Sequence, residues 1–348
     1  MGSRRYLLVS LAIGAVAWPA AAGSPDVVVS IKPVHSLVAA VMREVGEPTL
    51  LIAGAGSPHT YSLRPSEARE IAQAELVFWV GEELETFLIG PLATLAPDAR
   101  LVALGAAPGI MLLPTRSGGL WQEYGHEDGE GEHAEHEAGH AEHHEEHAQH
   151  LEQEDEHAGE AQHAPARHDH DHGASDMHVW LDPQNARAMV QAIAAALAET
   201  DPDNADAYRR NARQLREELE RLDRRIAETM GPVVDRPFVV FHDGYQYFER
   251  RYGLSAIGSI SIAPERRPGA RRLQEIRDTL QETDAACVFA EPQFEPALVA
   301  TVVEGTSARA GVLDPLGADL EEGPDQYFRL LEGLAGSLVD CLGAARSG

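Results

Sequence analysis

The stretch from Gly125 to Gly173 sets the first limit on how this 348-residue chain can fold. It holds thirteen of the seventeen histidines, sixteen Asp or Glu residues and one arginine, a formal charge of −15 within a total of −28. Large apolar side chains are almost absent from it, so nothing it could bury would offset the entropy of ordering it. It is expected to be a disordered surface loop, and the core must come from the segments on either side. At Met177 the composition turns apolar, in Ser175-Asp176-Met177-His178-Val179-Trp180-Leu181-Asp182-Pro183, and one histidine lies inside that change. His178 is either a core histidine with a hydrogen-bond partner or a metal ligand on a folded wall.

The segments that can fold read as α/β units. Val27 to Ile31 and Thr49 to Ile52 are β-branched or aliphatic runs expected as buried strands, and a helix is expected from Leu37 to Val45. Thr49 to Ile52 breaks into Gly54-Ala55-Gly56-Ser57-Pro58-His59, which puts His59 on a loop beyond a strand. A helix starts at Ser66, and further strands are expected at Leu76 to Val80 and Leu101 to Leu104. After Pro183 a helix is expected from Ala186 to Thr200. Asp201 then stands as a candidate N-cap with Pro202 at the first helical position. Tyr208, Ala212, Leu215, Leu219, Leu222, Ile226 and Met230 recur at steps of three and four until Gly231-Pro232 ends the pattern. A helix of that length spans roughly 40 Å, suited to joining two domains. A coiled-coil dimer is the competing reading. The α/β pattern restarts at Phe238 to Phe241, and His242 again lies at the carboxyl end of a strand. Cys287 to Ala290 is another strand, and Phe328 to Cys341 is the final helix.

Arg4 and Arg5, an apolar run from Leu7 to Trp18, and Ala20-Ala21-Ala22 have the order of a secretory signal peptide cleaved near Ala22. A membrane anchor is the alternative, but the run is short for a span. Export favours a disulfide between Cys287 and Cys341 over two buried thiols. The negative charge excludes nucleic acid, whose binding needs clustered positive charge, and makes a cation the natural partner. Spacings such as His133, His136, His140, His143, His144 and His147, or His168, His170 and His172, supply close-range metal ligands. An inert acidic spacer is the plainer reading of that run. The chain has one lysine, Lys32, which reads as a coding bias with no chemistry attached.

Outside the acidic run only His35, His59, His178 and His242 remain. Three neutral imidazoles suit zinc, with a fourth position for an oxygen ligand or water. His35 is left as structural.

The segments Gly56-Ser57-Pro58-His59-Thr60-Tyr61-Ser62-Leu63-Arg64-Pro65, Asp176 to Pro183 and Phe241-His242-Asp243-Gly244-Tyr245-Gln246-Tyr247-Phe248 resemble the three ligand motifs of the periplasmic zinc-binding proteins of ABC importers, the ZnuA type. Cys287 to Phe294 and Leu313-Asp314-Pro315-Leu316-Gly317 are similar to two further segments of that family. The resemblance implies two α/β lobes joined by one long rigid helix, with the metal site between the lobes. It also implies a histidine- and acid-rich loop in the first lobe and a disulfide in the second. The organisation is then a signal peptide (1–22), a first lobe (23–200) carrying the loop (125–173), a linker helix (201–231) and a second lobe (232–348). The resemblance assigns Zn2+ to His59, His178 and His242. Pro58 stands where some relatives carry a ligand glutamate, so the fourth ligand falls to Asp314, to water or to a side chain of the acidic loop. The function implied is zinc capture in the periplasm and delivery to the membrane permease of an ABC importer, by a protein expected to be a monomer and not an enzyme. A zinc hydrolase, or a metal buffer or adhesin without a permease, is the alternative.

Overall fold

A computed structural model of the chain describes residues 23–121, 175–261, 267–295 and 297–343. The expected signal peptide and the histidine-rich run from Gly125 to Gly173 lie outside the described residues. The first lobe runs β1 (Val27–Ile31), α1 (Lys32–Val41), β2 (Thr49–Ile52), α2 (Pro65–Gln73), β3 (Leu76–Trp79), α3 (Thr86–Leu95) and β4 (Arg100–Ala103). Its four strands lie parallel in the order β2-β1-β3-β4. Strands β1 and β3 are buried throughout, as expected of a parallel sheet covered on both faces. The chain leaves β1 to one side for β2 and returns on the other side for β3. The crevice beyond the carboxyl ends of β1 and β3 is therefore a topological switch point.

A two-residue ladder, β5 (Leu113–Pro114) against β6 (Ser175–Asp176), is followed by α4 (Pro183–Thr200) and α5 (Ala205–Met230). Asp182 caps α4 by accepting from the Gln184 amide at 2.8 Å. Asp201 does not cap the long helix. Residues 202–204 form a separate 3₁₀ turn, and the Asp201 carboxylate instead accepts from Asn204 Nδ2 (2.8 Å) and Tyr208 Oη (2.7 Å). The apolar stripe of α5 is buried within the chain, packed along α4, α9 and α1, so it needs no coiled-coil partner.

The second lobe runs β7 (Phe238–Val240), α6 (Gln246–Tyr252), β8 (Ala256–Ser259), α7 (Ala270–Glu282), β9 (Cys287–Ala290), α8 (Ala297–Val303), β10 (Arg309–Val312) and α9 (Gln326–Gly343). Its strands are also all parallel, in the order β10-β9-β7-β8, with the switch point between β7 and β9. A disulfide joins Cys287 on β9 to Cys341 on α9, 54 residues apart. Among the described residues no helix is long and apolar enough to cross a membrane.

One hydrophobic cluster runs through both lobes, and polar contacts tie them together beside it. The Lys32 ammonium, 5 % exposed, donates to the carbonyls of Gly317 (3.2 Å), Ala318 (2.8 Å) and Leu320 (2.8 Å). Tyr327 Oη donates to Trp180 O at 2.6 Å, and Trp180 Nε1 donates to Pro315 O at 2.9 Å. Arg116, on the segment after β5, pairs with both Asp243 and Glu249 of the second lobe and lies over the Trp121 ring. Lys32, read from composition as uninformative, is thus an inter-lobe clamp.

The first switch point holds Glu85, fully buried, with Oε2 accepting from the amides of Val80 (2.8 Å) and Gly81 (2.9 Å). Burial pushes its carboxyl up to about 7, although the Ser30 side chain and those amides oppose the shift. A folded-state value above the unfolded one stabilises the protein below the unfolded value of about 4.3 and loses that contribution as pH rises through about 7. Glu85→Gln keeps both amide bonds and removes the titration. Wild type is expected to lose on the order of 3 kcal/mol relative to this variant between pH 4 and pH 8. Urea unfolding at both pH values measures it, and parallel stabilities would refute it.

Candidate metal centre

Each of the three histidines is delivered by a different local device. His59 lies on the turn after β2, where the Thr60 amide donates to Ser57 O at 3.2 Å. His178 follows β6 and precedes the buried 3₁₀ turn Val179–Leu181. His242 lies at the end of β7, at the second switch point. The next turn is made tight by Gly244, whose amide donates back to His242 O at 2.9 Å. A Cβ at Gly244 would lie 2.6 Å from His242 Nε2, so any larger residue would press on that ring.

The three rings converge through their Nε2 atoms. His178 Nε2 is 3.2 Å from His59 Nε2 and 3.1 Å from His242 Nε2, and among the described residues this is the group able to hold a metal ion. The outer nitrogens of two of them are committed. His178 Nδ1 is 2.8 Å from Asp176 Oδ1, and His242 Nδ1 is 2.7 Å from Glu291 Oε1. An ionised carboxylate only accepts, so each Nδ1 carries a proton, and an Nε2 without one turns its lone pair toward the other two rings. Lone pairs about 3 Å apart repel unless a cation or a proton lies among them.

Burial, and then the proximity of His178 and His242, push the His59 imidazole down to about 2, so it enters the cluster neutral. For His242, burial is outweighed by Glu291 and the imidazole is raised above its ordinary value. For Asp176, burial is likewise outweighed by its charge interaction and bonds with His178, and the carboxyl is lowered. The cluster opens onto a cavity of about 430 Å³ whose lining includes Glu83, Asp176 and the ion pair of Arg116 with Asp243.

Asp314 is not brought into this cluster. Its Oδ1 accepts from the amides of Leu316 (3.0 Å) and Gly317 (2.9 Å) and from Gln293 Nε2 (2.9 Å), and its Oδ2 accepts from the Ala318 amide. It caps the turn whose carbonyls receive Lys32. His35 is buried elsewhere, its Nε2 3.0 Å from Pro48 O, as a structural residue. The accessory histidines of the acidic run lie outside the described residues. Asp176 and Glu291 were missed as site residues, although both lie in segments that carry the resemblance. Their role shows only when the ring they bond is seen.

Two parallel α/β lobes joined by a long helix, with imidazoles converging where the lobes meet, define a two-lobed solute-binding protein with a candidate metal centre. The chain belongs to the ZnuA family, described as the periplasmic component A of a zinc-uptake complex, which it matches over residues 27–341. It is 52% identical over 316 residues to the high-affinity zinc uptake system protein ZnuA of Brucella abortus (strain 2308), covering 91% of each chain. It is 40% identical over 339 residues to the protein of the same name from Paracoccus denitrificans (strain Pd 1222), covering 97% of this chain and 98% of that one. A crystal structure of a ZnuA shares the fold, with a TM-score of 0.68 at 23% identity over 91% of this chain and 98% of that chain.

Proposed function

We propose that this protein captures Zn2+ in the periplasm through His59, His178 and His242 and delivers it to the membrane permease of a zinc ABC importer. The observation that carries the proposal is the facing of the Nε2 lone pairs across 3.1–3.2 Å, with the outer nitrogens of two rings already bonded to carboxylates. Neutral nitrogen donors suit zinc over manganese, which prefers oxygen. The fourth position is proposed for solvent, because Asp314 is committed to its own turn. Asp176 and Glu291, the carboxylates that bond the rings, are both engaged by imidazole N–H groups and are not placed as general bases. The chain acts as a monomer after removal of residues 1–22, and the histidines of 125–173 serve as weaker accessory ligands.

Metal-stripped full chain titrated with zinc against a competing chelator is expected to fill one tight site before several weak ones. Deletion of 125–173 is expected to remove only the weak ones. Absence of any tight phase in the full chain would overturn the proposal.

A further inference from the structure

The two carboxylates behind the histidines are arranged alike in the two lobes. Asp176 Oδ1 accepts from both the main-chain amide of His178 (2.9 Å) and its Nδ1 (2.8 Å). Glu291 Oε1 accepts from both the amide of His242 (3.2 Å) and its Nδ1 (2.7 Å). One oxygen thus holds a ring and the backbone that carries it. Among the described residues no carboxylate bonds the His59 ring. Asp176 is 5 % exposed and Glu291 2 % exposed, so neither charge is dissipated into water.

Three imidazoles that each give an Nε2 lone pair to a metal contribute no charge to the cluster. A dication entering a buried pocket loses its hydration, and that loss must be matched by countercharge held close by. Arg116 engages Asp243, the neighbouring carboxylate, and so removes it from this role. Asp176 and Glu291 carry two negative charges, equal and opposite to the ion, each one ring away from the point where the Nε2 atoms meet.

Building on the zinc site assigned above, we propose that Asp176 and Glu291 are positioning residues whose paired charges neutralise the bound dication, so that the cluster's preference for divalent over monovalent metals is set outside its direct ligands.

Asp176→Asn and Glu291→Gln test this, singly and together. Each keeps the volume and the accepting oxygen. Because that oxygen receives two N–H groups, the amide is held with its oxygen toward the ring. Affinities for Zn2+ and Ag+ are measured by competition in wild type and variants, and the Co2+ absorption band reports ligand geometry. Each single variant is expected to weaken Zn2+ by about 10–100-fold, in line with the loss of a carboxylate partner to a metal-bound histidine. Ag+ affinity is expected to change much less, and the Co2+ band to keep its shape. Asp176→Glu, which keeps the charge, is expected to retain the divalent preference. Equal losses for Zn2+ and Ag+, or unchanged Zn2+ affinity in both single variants, would overturn the proposal. Failure of wild type to bind zinc tightly would instead overturn the site itself, and the wild-type titration separates the two. Thermal melts of the metal-free variants identify any that do not fold, and the remaining single variant then decides between these outcomes.

Discussion

His178→Ala is expected to weaken zinc binding by roughly a hundredfold or more. Zinc bound to four ligands gains about 10–16 kcal/mol in closed sites, so one ligand accounts for on the order of 3 kcal/mol, and each 1.4 kcal/mol is about tenfold. His178 is the most exacting of the three to remove, because its Nε2 is the atom within reach of both others, 3.2 Å from His59 and 3.1 Å from His242. Without it, two rings remain at the edges of a gap, and Asp176 keeps its charge but loses the imidazole that transmitted it. His35→Ala is the matched control. It removes a buried histidine bonded to Pro48 O and is expected to lower stability while leaving zinc affinity unchanged. Chelator competition on the two variants makes the comparison. Equal affinity in His178→Ala and wild type would remove the histidine from the site.

Lys32→Met is expected to destabilise the metal-free protein by about 4 kcal/mol. Methionine keeps most of the length and apolar stem of lysine but donates nothing. Three carbonyls, those of Gly317, Ala318 and Leu320, lose the donor that satisfies them. Bonds from a charged donor contribute about 1.5–3 kcal/mol each and do not add fully, since the turn can relax toward water. The turn is held from its other side by Asp314, so it has little freedom to collapse onto the gap. The loss also separates first lobe from second, and zinc affinity is expected to fall with it as the lobes spend more time apart. Urea unfolding of the metal-free variant gives the magnitude. A loss below about 1 kcal/mol, the size of one ordinary hydrogen bond, would show that the clamp is incidental.

Local pattern made much of this fold legible. The β-branched run Val27 to Ile31 reads as a buried strand because strand chemistry is written in adjacent residues, and the stripe from Tyr208 to Met230 reads as a helix because its period is 3.6. His59, His178 and His242 could be singled out because few histidines lie outside the acidic run and each stands at a folded junction. Helix α3 was not anticipated, since Gly90 and Pro91 inside it are the residues that usually mark a break. Asp201 carried a correct N-cap signature, but Tyr208 Oη, one turn into the helix, competes for the same carboxylate.

By itself, then, the sequence determined the alternation of strands and helices and the three imidazoles available to a metal, because each depends on residue type and on neighbours close in the chain. Tertiary structure alone decided which groups meet. Lys32 finds its acceptors 285 to 288 residues away, Glu291 reaches His242 across 49, and Asp314 turns inward to its own loop. Hydrogen-bond partners are chosen by distance and direction in space, and residue spacing along the chain carries neither once the sheets have brought distant strand ends to one crevice.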